Sequence, residues 1–267
     1  MSCKRHGVRV ARLRPMPGLP ARVVACVMVS LLATLCMSMN NPDQALYAFL
    51  GGDLLVPSQY GGRPSIVALL AWFSPLAAFC FLFSDLVPSG LERDASAVIP
   101  RVASRTAWML GRLAQLALYS ASFALLGRLA SAFGLLALGC GVDPSELFGV
   151  ALGDAVLGFA LALLLVLATN CLALRVDAVV AFSVVFAVHV ATLVGVRYMP
   201  YGVSRAVAPW LPSTQGILAW HDCSGWTTGL ANGVPGFSIA VSLAYLLVGA
   251  VIVAWLAIRL VRSCDVL

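Results

Sequence analysis

The sequence is poor in charge, since lysine, arginine, aspartate and glutamate together make up 10% of its 267 residues. Its only lysine is Lys4, and its three histidines, His6, His189 and His221, lie in three separate segments. The phosphate-binding loop of an ATPase needs a lysine directly after its glycines, and Lys4 has no such glycines before it. The motifs of zinc peptidases and serine hydrolases are also missing. We therefore expect no catalytic residue in this chain, and we do not expect it to be an enzyme.

The eight cysteines are scattered along the chain, and no two of them lie two or three residues apart. A structural zinc site needs such closely spaced pairs, so the sequence predicts no metal site and no cofactor bound by this chain. Cys140 and Cys223 are predicted on the same side of the membrane. Either a disulfide or two unrelated thiols is compatible with that placement.

Apolar residues are abundant, at 61% of the chain, and the mean hydropathy of +0.96 lies far outside the range of soluble globular proteins. Six uncharged segments are long enough, or nearly so, to cross a bilayer core of ~30 Å as helices rising ~1.5 Å per residue. They are Val23–Met39, Ile66–Ser84, Leu113–Gly127, Ala155–Leu174, Ala178–Val196 and Gly236–Ile258. The alternation typical of membrane β-barrels is missing. The predicted fold is an all-α, polytopic membrane bundle of about six transmembrane helices.

The basic residues predict the orientation of this bundle. Thirteen of the seventeen fall on one side of the membrane if the helices alternate, and basic residues favour the cytoplasmic side. These thirteen are Lys4, Arg5, Arg9, Arg12, Arg14, Arg22, Arg93, Arg101, Arg105, Arg112, Arg175, Arg259 and Arg262. We therefore predict a multi-pass protein of the cell membrane with both termini cytoplasmic. The net charge of +6 is then a topology signal, and no nucleic-acid partner is expected.

The predicted organisation has a basic cytoplasmic arm, a six-helix transmembrane domain and a short cytoplasmic tail, at residues 1–22, 23–262 and 263–267. Two outer loops are predicted at about 40–65 and 197–235. The second loop carries three tryptophans and several prolines, which favour a cap lying along the outer membrane interface. It also contains the sequence WHDC, residues 220–223, whose neighbouring side chains point apart and cannot form a catalytic relay.

Four polar residues are predicted within or near the apolar helices: Arg128, Asp154, Asn170 and His189. Ionisable residues inside a membrane often mark a functional site, so each is a candidate substrate contact. Arg128 and Asp154 lie near helix ends, where long side chains reach the lipid headgroups. Asn170 and His189 more often join neighbouring helices through hydrogen bonds. The structural interpretation is favoured for all four.

A basic stripe precedes the third apolar segment. Pro88 and Gly90 are expected to end the second helix, and Pro100 is suited to the first position of a new one. From there one helical face carries Arg101, Arg105, Trp108 and Arg112. The segment 88–112 is thus predicted to include a short amphipathic cytoplasmic helix. Its stripe would either contact anionic lipid headgroups or dock a partner protein.

Two stretches resemble the permease subunits of bacterial type-2 ABC (ATP-binding cassette) exporters. One is SDLVPSGLERDASAVIPRVASRTAWMLGRLAQL, residues 84–116, where an acidic residue ends the second helix and a basic, tryptophan-containing segment enters the third. The other is the carboxyl-terminal helix with the basic residues, aspartate and aliphatics that follow it, residues 236–267. The resemblance implies a coupling helix containing Arg101, Arg105 and Trp108. It also implies a separate cytoplasmic ATPase subunit, which binds ATP and Mg²⁺, and a second permease subunit, identical or similar.

Two other functions stay open at this point. A secondary transporter usually has internal repeats, broken helices and a carboxylate near the membrane centre, none of which the sequence indicates. A membrane protein that anchors or senses a partner would need none of these features. The substrate of a transporter cannot be identified from so few polar residues, and peptides, lipids and drugs all fit an apolar bundle.

Overall fold

The computed structural model describes residues 18–40, 66–95, 105–139, 143–222, 234 and 236–263. Within them the secondary structure is entirely helical. The α-helices are α1 Leu19–Asn40, α2 Ile66–Leu82, α3 Leu86–Ala95, α4 Arg105–Ala137, α5 Pro144–Ala173, α6 Ala178–Tyr198, α7 Tyr201–Val207, α8 Pro212–Gln215 and α9 Ile239–Ser263. Two short 3₁₀ helices, Ala208–Trp210 and Leu218–Trp220, flank α8.

Six helical segments are long and apolar enough to span a membrane: α1, α4, α5, α6, α9 and the segment Leu69–Glu92, which joins most of α2 to most of α3. This confirms the prediction of an all-helical, multi-pass chain. The basic arm up to residue 17, most of the first outer loop (41–65), and Cys140 and Cys223 lie outside the described residues.

The helix α5 begins earlier than its uncharged segment suggests, because a strong start signal precedes that segment. The carboxylate of Asp143 accepts hydrogen bonds from the backbone N–H groups of Ser145 and Glu146, and Pro144 occupies the first turn. The Ser145 hydroxyl also donates to this carboxylate, and its hydrogen bond, together with the two backbone bonds, holds the pKa of Asp143 below its usual value. Asp177 caps α6 in the same way by accepting from the N–H of Val179 at 2.8 Å.

The helix α5 is the centre of the bundle, and the other long helices pack around it. About 72% of its most apolar 18-residue stretch is buried, against 17% for the corresponding stretch of α9, whose surface is mostly exposed. Small residues allow α1 and α4 to approach closely. Gly127 faces the Ser30 side chain, and the hydroxyl of Thr34 donates to Ser131 Oγ at 2.8 Å.

The connection between α2 and α4 differs from the prediction at two residues. The second helix ends at Leu82, before a turn at 83–85, and Pro88 and Gly90 lie inside the next helix, α3. Pro88 is tolerated there because it falls in the first turn, where backbone N–H groups have no helical acceptor. We call residues 83–95 the elbow.

The elbow marks one end of the bundle, which we call the elbow end. Arg22 at the start of α1 contacts Asp85 at 2.8 Å, and Arg262 near the end of α9 donates to Thr106 Oγ1 at 2.9 Å. The first and last described residues therefore lie at the same end of the molecule.

At the opposite end, the chain between α6 and α9 does not lie along the surface as predicted. Residues 201–222 enter the bundle and leave it again, and we call them the re-entrant segment. Every residue from Ser213 to His221 is buried, whereas Trp210 is 76% exposed. The predicted interfacial cap is therefore wrong for the inner part of this segment. Trp226 lies outside the described residues.

Candidate functional site

The depth of the re-entrant segment follows from its partners on the long helices. Ser213 contacts His189, which lies nine residues before the end of α6, or ~13 Å along the helix axis. Gly216 lies against Leu161, seventeen residues into α5. The segment then returns, and His221 meets Ser242 in the first turn of α9. Irregular backbone at such depth requires protein or water around it, and here α5, α6 and α9 surround it.

The core of the site is an ion pair between α4 and α5. Arg128 Nε lies 2.5 Å from Asp154 Oδ2, and the side chains are 28% and 3% exposed. The same carboxylate accepts a hydrogen bond from the backbone N–H of Leu218 in the re-entrant segment. Arg128 and Asp154 do not reach separately toward the headgroups as their positions near helix ends suggested. They pair with each other, because α4 and α5 are consecutive antiparallel helices, and together they hold the re-entrant segment.

A cavity of about 60 Å³ adjoins the ion pair. Its wall includes Arg128, and three glycines leave room for it: Gly127, Gly158 and Gly216. Pro75 of α2 also lines the cavity and cannot donate to the carbonyl of Ala71. The Ser74 hydroxyl donates to that carbonyl at 2.9 Å instead. The cavity is thus mainly apolar with one cationic group, and its size suits a few waters.

His189 joins α6 to the re-entrant segment. Its Nδ1 lies 3.0 Å from Ser213 Oγ, and its ring makes an edge-on contact with Phe73 and a tilted contact with Phe186. Within the part of the chain that the structure describes, its buried Nε2 has no hydrogen-bond partner. The residue therefore contributes an interhelical hydrogen bond and leaves one ring nitrogen available inside the bundle.

His221 closes the re-entrant segment. Its Nδ1 lies 2.9 Å from the carbonyl of Ile217 and so carries the proton, whereas Nε2 accepts from the Ser242 hydroxyl at 2.7 Å. The ring also stacks on Phe237. Burial lowers the pKa of this histidine from its ordinary value of 6.5 to about 4, because the charged imidazolium loses its hydration.

The lowered pKa of His221 predicts a pH-dependent stability. Between pH 6.5 and pH 4 the unfolded chain binds a proton at His221 that the folded protein excludes, so the free energy of unfolding falls as the pH falls. The loss attributable to His221 amounts to about 2 kcal/mol between pH 7.5 and pH 5. Unfolding titrations of the wild type and His221→Gln at both pH values measure it, and the variant should show a flatter dependence. Equal slopes for the two proteins would contradict the prediction.

At the elbow end, Asn170 connects the elbow to the central helix. Its Nδ2 donates to the carbonyl of Phe83 at 2.8 Å, and its Oδ1 accepts from the N–H of Val87 at 2.9 Å. Both contacts are buried and pair backbone groups at the break between α2 and α3. The elbow and α5 therefore form one connected unit.

The predicted docking stripe lies partly inside the protein. Trp108 and Arg112 share a helical face, as predicted, but they are only 2% and 1% exposed. The Arg112 guanidinium packs against Gly90 of the elbow and donates to Gln115 Oε1. These two residues therefore support the elbow and do not offer a surface to a partner. Arg105 is half-buried at the start of α4, and Arg101 lies outside the described residues.

Several residues of the site were not predicted from the sequence, above all Ser213, Gly216 and the backbone of Leu218. The sequence LPSTQG, residues 211–216, held a signal, since small and polar residues follow a proline within an apolar loop. The signal indicates irregular backbone but not its burial. Among the described residues, no group of three or more His, Cys, Asp or Glu is placed to hold a metal ion.

No protein-family model, curated protein or solved structure matches this chain.

Proposed function

We propose that this chain is the membrane-spanning permease subunit of an ABC transporter that exports its substrate. It would form the substrate path with a second permease subunit and would be driven by a separate cytoplasmic ATPase. The observation that carries the transport proposal is the re-entrant segment, whose polar groups lie deep in the bundle beside a cavity and an ion pair. Polar, non-helical backbone at membrane depth is typical of substrate and ion pathways.

The elbow supplies a mechanism for coupling. Asn170 fixes the elbow to α5, and the same helix carries Asp154 and Leu161, which contact the re-entrant segment. A partner that displaced the elbow would therefore move α5 and, through it, the segment beside the cavity. A rigid helix touching both sites is the kind of element that transmits such a change. Alternating access would follow as ATP-driven motion at the elbow end rearranges the opposite end.

The proposal is tested by purifying the tagged protein from gently solubilised native membranes and identifying what accompanies it by mass spectrometry. We expect an approximately stoichiometric small ATPase whose sequence contains a phosphate-binding lysine loop. Reproducible absence of such a subunit, with the bundle intact, would reject the ABC proposal and favour a secondary transporter or an anchoring or sensing protein.

The docking residues are tested in the same purification. The double variant Arg101→Glu/Arg105→Glu reverses two charges of the predicted docking stripe and should reduce the recovered ATPase at least tenfold. Trp108 and Arg112 are unsuitable for this test because their burial means that substitution would disturb packing. Arg175→Glu is the matched control, since this exposed residue also lies at the elbow end. Equal recovery from all three proteins would reject docking by the arginines.

A further inference from the structure

A second feature at the elbow end is an open groove whose lining includes Arg262, the residue that donates to Thr106. It has a volume of about 710 Å³ and lies where α5 and α9 end. The described residues that line it are Cys171, Leu256, Arg259, Leu260 and Arg262. Its size falls within the range of pockets that hold small molecules, and it opens at the level where the apolar helices meet the polar end of the bundle.

The two arginines of the groove are held in place by neighbouring residues. The guanidinium of Arg259 lies over the Trp255 ring at 3.9 Å from its centroid. Arg262 is fixed through its Nε, which donates to Thr106 Oγ1. Within the described ranges neither arginine pairs with a carboxylate, and no lining residue is acidic. The groove therefore presents uncompensated positive charge next to an apolar wall.

We infer that this groove is a binding site for an anionic phospholipid. Arg259 and Arg262 contact the headgroup phosphate, and one acyl chain lies along Leu256, Leu260 and Cys171. Charge and position together select this ligand, because a free anion would not use the apolar wall and a neutral lipid would leave the arginines unpaired. Basic pockets between helices at the membrane surface bind anionic headgroups for the same reason. The assignment is independent of the transport proposal.

Native mass spectrometry of the detergent-purified protein tests the site. The protein is titrated with phosphatidylglycerol and, separately, with phosphatidylcholine carrying the same acyl chains. We expect the wild type to retain phosphatidylglycerol on the order of tenfold better than phosphatidylcholine. Arg259→Gln/Arg262→Gln should lose this preference, whereas Arg175→Gln, which removes an exposed charge from the same end, should keep it.

One further variant and one competition measurement make the test decisive. Leu256→Trp narrows the apolar wall without changing charge, and it should weaken retention of phosphatidylglycerol even if the double arginine variant does not fold. Water-soluble glycerol phosphate, which lacks acyl chains, should not displace the lipid. Equal retention of the two lipids by the wild type, or an equal loss in Arg175→Gln, would overturn the assignment. Displacement by glycerol phosphate would overturn it in favour of a free phosphate site.

Discussion

Replacing Arg128 with methionine should lower the free energy of unfolding by about 3 kcal/mol, because it leaves the buried carboxylate of Asp154 without its cation. The two partners are not equivalent. Asp154 is almost fully buried, whereas Arg128 borders the cavity and can retain water there. Asp154→Asn should therefore cost less, about 1 to 2 kcal/mol, since the amide oxygen still accepts from the N–H of Leu218 and the arginine keeps partial hydration.

Denaturant titrations in detergent micelles measure these differences. The double variant Arg128→Met/Asp154→Asn removes both charges, and its stability should lie close to that of Asp154→Asn alone. Arg175→Met is the matched control, an exposed arginine whose loss should change the stability by no more than about 0.5 kcal/mol. Strictly additive losses in the double variant would show that the ion pair does not stabilise the bundle.

Substitution of Gly216 by alanine should lower the free energy of unfolding by about 2 kcal/mol, because the added methyl group has no space. A Cβ at this position would lie 2.5 Å from Cδ2 and 2.6 Å from Cβ of Leu161. The second distance matters most, since a Cβ atom is fixed by the helix and cannot rotate away. The backbone of Gly216, with φ near −87°, is accessible to any residue. Glycine is therefore required at this position by the close approach of Leu161 and not by the backbone conformation.

The matched control for Gly216→Ala is Gly195→Ala. A Cβ at Gly195 meets nothing within 4 Å, and alanine is the better helix former, so this variant should be neutral or slightly stabilising. Truncation of Leu161 in the Gly216→Ala background should cost less than the same truncation in the wild type, because it removes part of the clash. An unchanged stability for Gly216→Ala would mean that the re-entrant segment can move away from α5 at little cost.

The number and class of the helices were predictable because membrane insertion depends on local composition. A charge-free run long enough to cross hydrocarbon has few alternatives to a helix, whatever its neighbours are. Helical periodicity also placed Trp108 and Arg112 on one face. Periodicity alone cannot tell which face points inward, and the contact of Arg112 with Gly90 depends on how the elbow folds back.

The candidate site could not be predicted from the sequence, because it depends on contacts between residues far apart in the chain. Arg128 and Asp154 each resemble an interfacial residue when considered singly, and only the pairing of α4 with α5 makes them partners. Residues 213–221 combine polar and apolar side chains, so their composition suits a surface loop as well as a buried one. Their burial is determined by His189, Leu161 and Ser242, which belong to three different helices.

The re-entrant segment also constrains the order in which the protein is assembled during synthesis. Ser213, Thr214 and Gln215 are too polar to partition into lipid alone, so this stretch enters the membrane only once its protein surroundings exist. Those surroundings include Ser242, which the ribosome adds after the segment itself. The segment therefore cannot reach its buried position until α9 has been made and has packed beside it. A helix that is synthesised after the segment is thus needed before the segment can settle against α5 and α6.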